Sequence, residues 1–180
     1  VRQNLLDHVL SREDAIRAFG LDPNKKTILI LGGSLGARTI NNTLIAGLPT
    51  LKKNNDIQFI WQTGKIYHQQ VIEAVGSAGS IPNLYVADFI KDMATDLVIS
   101  RAGAGSISEF CLLGKPVILV PSPNVAEDHQ TKNALALVNK GAAIYVKDAE
   151  AETKLLPAAL ETIADTAKLK DLSDRIAKLA

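Results

Sequence analysis

Cysteine is almost missing: Cys111 is the single one in 180 residues, so no internal disulfide can form and a reducing, cytoplasmic setting is expected. Aromatic residues make up only 4%, which excludes the stacking platform that single-stranded nucleic acid requires. Charge of one sign is lacking too. Lysine and arginine total 20 against 19 aspartates and glutamates, for a net charge of +1. That balance leaves no electrostatic footprint for DNA or RNA. No apolar run approaches the roughly 20 residues that span a bilayer, and the first residues carry no secretory-leader pattern. His8, His68 and His129 share no ligand-like spacing, and no Asp-x-Asp pair is present, so no metal site is expected.

What is present is a globular composition. Hydrophobic residues reach 47%, enough for one well-buried domain over residues 1–180. The chain opens on Val1 rather than methionine, and is therefore expected to be a piece of a longer protein. Apolar runs recur along it: Lys26-Thr27-Ile28-Leu29-Ile30-Leu31, Ile57-Gln58-Phe59-Ile60-Trp61, Leu84-Tyr85-Val86, Leu97-Val98-Ile99, Pro116-Val117-Ile118-Leu119-Val120 and Ala143-Ile144-Tyr145-Val146. Several are continuously apolar, as strands covered on both faces are. Helical stretches separate them near 37–53, 65–77, 105–113 and 130–140. The alternation predicts an α/β fold, a Rossmann-like doubly wound parallel sheet. Residues 1–20 read as a helical lead-in, and Asp22-Pro23-Asn24-Lys25 as a turn. Residues 151–180 read as two helices, broken near Pro157 and at Asp165-Thr166.

Two glycine-rich strand-to-helix turns carry the chemistry. The first is Gly32-Gly33-Ser34-Leu35-Gly36-Ala37; the second is Ser100-Arg101-Ala102-Gly103-Ala104-Gly105-Ser106-Ile107-Ser108-Glu109. A helix N-terminus offers unpaired N–H groups and partial positive charge, which suit a phosphate. Glu109, an acceptor-only carboxylate one turn into that helix, suits paired ribose hydroxyls. Ser106-Ile107-Ser108-Glu109 equally fits a capping box, with Glu109 reaching back to the helix start. The first and fourth strands of a doubly wound sheet meet at the topological switch point, so Ser34 and Ser106 are expected to face one diphosphate. Neither turn is a P-loop, since no lysine follows. Trp61-Gln62-Thr63-Gly64 ends the second strand without the acidic residue a nicotinamide ribose needs. Gln130 is placed to reach a sugar hydroxyl. Phe89-Ile90-Lys91-Asp92-Met93 is either a flat pocket edge for a uracil ring or an amphipathic helix start. Cys111, within Phe110-Cys111-Leu112-Leu113, reads as a buried structural thiol.

Taken in order, Val1-Arg2, Gly32-Gly33-Ser34-Leu35-Gly36-Ala37-Arg38, Trp61-Gln62-Thr63-Gly64-Lys65, Phe89-Ile90-Lys91-Asp92-Met93, Arg101 to Glu109 and His129-Gln130-Thr131-Lys132-Asn133-Ala134 resemble the C-terminal half of the MurG family. The family transfers N-acetylglucosamine from UDP-N-acetylglucosamine to a lipid-linked muramoyl-pentapeptide in peptidoglycan synthesis. The resemblance covers nearly the whole chain and implies the donor-binding half of a two-domain, GT-B type glycosyltransferase. It implies that Glu109 binds the ribose, that Ala104, Gly105 and Ser106 hold the diphosphate with Ser34, and that the backbone of Ile90 reads uracil. His129 and Gln130 would lie near the sugar hydroxyls, where many relatives have Gln-Gln, and Arg2 would approach the diphosphate. Gly105 stands where some relatives have leucine. No catalytic residue, cofactor or metal is implied in this half. The acceptor, the general base and the membrane-facing surface belong to the other domain, at the cytoplasmic face of the bacterial membrane. The half alone is expected to bind the donor weakly and to turn over nothing.

Three other readings compete. A UDP-N-acetylglucosamine 2-epimerase would place charged residues around the sugar, and residues 121–130 are too neutral for that. A non-catalytic Rossmann-like interaction module predicts no nucleotide affinity. NAD binding lacks its acidic residue after Trp61.

Overall fold

The computed structural model describes residues 12–32, 37–88, 90, 95–123 and 129–180. Arg2, Ser34, Phe89, 91–94 and 124–128 lie outside the described residues. The chain divides into two compact units, one ending at Thr95 and one running from Asp96 to Ala180.

The first unit holds helix α1 (Arg12–Ala18), strand β1 (Lys26–Leu31), helices α2 (Arg38–Ala46) and α3 (Leu48–Lys53), strand β2 (Ile57–Gln62), helix α4 (Lys65–Ala78) and strand β3 (Leu84–Ala87). Its strands pair in the order β3-β2-β1, all parallel, with Ile28 opposite Phe59 and Trp61 opposite Val86. Ile28, Leu29 and Ile30 are all fully buried. Consecutive strand residues point to opposite faces, so both faces of β1 are covered, as its continuous apolar run predicts. The turn before β1 closes through Asp22, whose carbonyl accepts from Lys25 N–H and whose carboxylate accepts from Asn24 N–H at 2.9 Å. The helix expected over 37–53 is two helices. Pro49 lies in the first turn of α3 and cannot donate a backbone hydrogen bond, so the α2 ladder ends at Gly47.

The second unit holds β4 (Leu97–Ser100), α5 (Ala104–Leu113), β5 (Val117–Leu119), α6 (His129–Val138), β6 (Ile144–Tyr145), a 3-10 turn (Asp148–Glu150), α7 (Ala151–Ala164) and α8 (Thr166–Ala177). Its strands run parallel in the order β4-β5-β6. Val98, Ile99, Val117, Ile118 and Leu119 are fully buried. Helix α5 ends at Gly114, at φ 62°, a left-handed value that favours glycine. Ser173 of α8 then donates to the Gly114 carbonyl at 2.6 Å and ties down that end of α5.

The break expected at Pro157 does not occur. Helix α7 runs through it and stops at Asp165, which caps α8 by accepting from Lys168 N–H at 3.0 Å. Pro157 is exposed, so the carbonyl left without a partner one turn earlier lies on the solvent side. On the opposite side Leu155, Leu156, Ala159 and Ile163 are buried and hold the helix together across the proline. Pro157→Ala is therefore expected to stabilise the chain by about 1 kcal/mol, because it restores one helical hydrogen bond. A chemical denaturation curve checks it.

Candidate functional site

The carboxyl ends of β4 and β5 are joined by hydrogen bonds that position the start of α5. Val120 N–H donates to the Ser100 carbonyl at 2.8 Å, extending the ladder one residue past β5. Gln130, in the first turn of α6, places its side-chain oxygen where it accepts from Ser122 N–H at 2.9 Å and from Ala102 N–H at 3.2 Å. Three residues along the same helix face, Asn133 donates its Nδ2 to the Ala102 carbonyl at 3.2 Å. Both polar groups of residue 102 are thus held by α6, two residues before α5 begins. Arg101 adds a third fastening. Its Nη1 donates to the carbonyls of Val120 at 3.1 Å and Pro121 at 3.2 Å, and to the Asp148 carboxylate at 2.5 Å. The two side chains of that ion pair are only 8% and 15% exposed.

Helix α5 itself starts at Ala104, with Gly103 in extended geometry at its N-cap and no side chain capping it. Ile107 N–H donates to the Gly103 carbonyl at 3.0 Å. The N–H groups of Ala104, Gly105 and Ser106 have no hydrogen-bond partner among the described residues. This arrangement removes the capping-box alternative. Ser106 is the third residue of the helix rather than its cap, and the Glu109 carboxylate makes no hydrogen bond to the helix start. Gly105, Ser106 and Glu109 share one helix face at i, i+1 and i+4. A Cβ built on Gly103 or Gly105 meets nothing within 4 Å. Neither glycine has a left-handed φ, so the fold itself demands glycine at neither place. Within a helix, glycine is less favourable than alanine by about 1 kcal/mol. An exposed Gly105 with open space before it therefore fits close approach of a ligand to the backbone.

The first unit presents a related device. Asn41 of α2 is 1% exposed and fully engaged. Its Nδ2 donates to the carbonyls of Gly32 at 3.2 Å and Thr63 at 3.1 Å, and its Oδ1 accepts from the Trp61 indole at 2.9 Å. Gly32 N–H donates to the Gln62 carbonyl at 2.7 Å. A Cβ on Gly32 would overlap the Asn41 side-chain oxygen and lie 2.9 Å from its Cγ. Close approach of Asn41, rather than turn geometry, explains glycine at the entrance of the first glycine-rich turn. Beyond it, Thr63 N–H and Gly64 N–H donate to the carbonyls of Ala87 and Asp88, and Ile90 N–H donates to Gln62 Oε1 at 2.9 Å.

Of the residues singled out in the sequence, Ala104, Gly105 and Ser106 make up the first turn of α5, Glu109 lies one turn further along, and Gln130 fixes the loop leading into that helix. The Gln130 amide oxygen is spent on that task, and its Nε2 makes no hydrogen bond among the described residues. His129 is exposed. Ile90 lies at the end of the first unit's ladder, with its N–H already bonded. Ser34 and Arg2 are outside the described residues. Cys111 is buried, and burial pushes its thiol up, which suits a packing role. Among the described residues no group of histidine, cysteine and carboxylate side chains is arranged to hold a metal. No described helix is long and apolar enough to cross a membrane. Sequence reasoning missed Asn41, Gln62, Asn133 and the Arg101–Asp148 pair. The i, i+3 spacing of Gln130 and Asn133 was the one available signal.

The chain belongs to the family described as the glycosyltransferase family 28 C-terminal domain, which it matches over residues 27–178. It is 78% identical over its whole length to the UDP-N-acetylglucosamine--N-acetylmuramyl-(pentapeptide) pyrophosphoryl-undecaprenol N-acetylglucosamine transferase of Bacteroides fragilis, covering 49% of that protein. It is 72% identical to the enzyme of the same description from Bacteroides thetaiotaomicron, covering 50% of it. The chain thus spans about half the length of these relatives. Its fold superimposes on the crystal structure of Acinetobacter baumannii MurG with a TM-score of 0.73 at 30% identity, over 87% of this chain and 48% of that one. The fold is the Rossmann-like α/β half of the GT-B glycosyltransferases, and the epimerase alternative is not favoured.

Proposed function

We propose that this chain is the donor-binding half of an inverting hexosyltransferase, which moves N-acetylglucosamine from UDP-N-acetylglucosamine to a lipid-linked muramoyl-pentapeptide. The observation that carries the reading is the start of α5, where three N–H groups, and the Glu109 carboxylate one turn on, have no hydrogen-bond partner among the described residues. An anion belongs at the first and a hydroxylated group at the second. The activity that names these relatives joins the two into a nucleoside diphosphate sugar. In this reading Ala104, Gly105 and Ser106 donate to the diphosphate, Ser34 and Arg2 are further diphosphate contacts that the resemblance implies, and Glu109 accepts from the ribose hydroxyls. Ile90 contacts uracil, while His129 and Gln130 Nε2 reach the sugar hydroxyls.

Chemistry follows from that placement. An acceptor hydroxyl attacks the anomeric carbon, the bond from that carbon to the β-phosphate oxygen breaks, and UDP departs with the bonding pair. Negative charge grows on the diphosphate at the moment of departure. Preoriented N–H groups and the positive end of α5 stabilise that charge without reorganising, which lowers the barrier. The acceptor surface and the general base belong to the remainder of the enzyme, which works as a peripheral protein on the cytoplasmic face of the membrane. The chain by itself turns over nothing. In the complete two-domain enzyme, Glu109→Gln is expected to lower kcat/KM for UDP-N-acetylglucosamine about a hundredfold, since two hydrogen bonds to a charged acceptor weaken together. Steady-state kinetics check it, and an unchanged kcat/KM contradicts the role given to Glu109.

A further inference from the structure

We infer that Asp148 is a positioning residue for the transfer, a role that rests on the donor-site reading above and deepens it. It acts through Arg101 on the loop that leads into α5. Every backbone carbonyl from Ser100 to Gly103 has a partner. Ser100 accepts from Val120 N–H, Arg101 from the Ser100 hydroxyl at 2.8 Å, Ala102 from Asn133 Nδ2, and Gly103 from Ile107 N–H. The loop is thus held along its length, and it delivers the N–H groups of Ala104, Gly105 and Ser106 that meet the diphosphate in that reading. Gln130 and Asn133 hold the loop through neutral amides. Arg101 and Asp148 hold it through a bond between full charges, at 2.5 Å, and such bonds are the shorter and stronger kind. Neither residue touches the donor in the reading above.

Three acceptors converge on one nitrogen of Arg101. Two are the carbonyls of Val120 and Pro121, just beyond β5; the third is Asp148, in the 3-10 turn before α7. The carboxylate supplies the full negative charge that offsets burial of the guanidinium. A buried ion pair adds little net stability over an apolar pair of similar volume, so what it contributes here is direction. Without the carboxylate the buried charge is drawn toward solvent or another anion, away from Val120 and Pro121. The loop then loses its tie to the end of β5 three residues before α5 begins. A misplacement of about 1 Å is enough to cost about a hundredfold in rate. The N–H groups at the start of α5 serve the diphosphate both as it binds and as charge grows on it. Donor KM and kcat are therefore both expected to respond, while acceptor KM is not.

The test is steady-state kinetics of the complete two-domain enzyme carrying Asp148→Asn, or carrying Arg101→Met together with Asp148→Leu. Asparagine keeps a neutral acceptor for Arg101 but no charge. The apolar pair fills similar space and leaves no buried charge unpaired, so a role confined to stability is met while the fastening is gone. Each protein is assayed below its own unfolding transition, followed by circular dichroism. Both are expected to raise the KM for UDP-N-acetylglucosamine about tenfold or more, to lower kcat, and to leave the acceptor's KM unchanged. A merely structural role reduces the amount of active enzyme, so that kcat falls and neither KM moves; that outcome overturns the inference. Should Asp148→Asn fail to fold, the apolar pair decides by the same criterion. Glu109→Gln is assayed alongside. If it loses kcat/KM for the donor while both Asp148 proteins keep the parental donor KM, only the role of Asp148 falls. If Glu109→Gln keeps the parental kcat/KM, the donor-site reading falls and this inference with it.

Discussion

Asp148→Ala is expected to destabilise the second unit by about 3–5 kcal/mol, the range seen when one partner of a buried ion pair is removed. The pair joins the residue after β4 to the 3-10 turn before α7, 47 positions apart in sequence. Its arginine is 8% exposed. Alanine leaves that guanidinium without the carboxylate against which it is desolvated, while the Val120 and Pro121 carbonyls supply only partial charge. Asp148→Asn retains a neutral acceptor and is expected to lose less. Because a domain of this kind is stable by only about 5–15 kcal/mol, the alanine variant is expected to lower the melting temperature by about 10 °C. Thermal and urea unfolding of the three proteins give the comparison. Equal stability of the alanine variant and the parent would show that Arg101 is not held in place by Asp148.

The second large effect lies at the first glycine-rich turn. Asn41→Ala leaves the Trp61 indole N–H and the carbonyls of Gly32 and Thr63 without their buried partner. An unsatisfied buried group costs about 1–3 kcal/mol, so a loss of about 3 kcal/mol or more is expected. Gly32→Ala is expected to cost a similar amount, because its Cβ would overlap the same asparagine side chain. The double variant distinguishes this account from two separate defects. Once Asn41 is truncated the Cβ on residue 32 has room, so the double loss is expected to fall short of the sum by about 1 kcal/mol or more. Additive losses would mean that Gly32 is required for some reason other than Asn41.

The strands were the most legible part of the sequence. Continuous runs such as Thr27-Ile28-Leu29-Ile30 and Leu97-Val98-Ile99 announce burial on both faces, which a parallel sheet between helices provides. The glycine-rich turn before Glu109 was legible as a strand-to-helix turn, but its letters also spelled a capping box, which the actual helix start at Ala104 rules out. Pro157 misled because a proline's effect depends on which side of the helix its orphaned carbonyl faces, and the buried residues that decide this come from tertiary packing. Gly32 was read as a turn residue, whereas it makes room for a side chain nine positions later. Gln62 was read only as part of the Trp61-Gln62-Thr63-Gly64 strand end; its bond to Ile90, 28 residues away, is a contact that no local pattern encodes.

The central claim is that the start of α5 and Glu109 hold a nucleoside diphosphate sugar. The most direct measurement is a two-dimensional NMR titration of the chain with UDP-N-acetylglucosamine, repeated with Glu109→Ala. Saturable shifts are expected at the backbone amides of Ala104, Gly105 and Ser106 and at Ile90, and the variant, folded by its own spectrum, is expected to lose them. Saturable binding that leaves the amides of Ala104, Gly105 and Ser106 unmoved, or that survives Glu109→Ala at full strength, would contradict the claim.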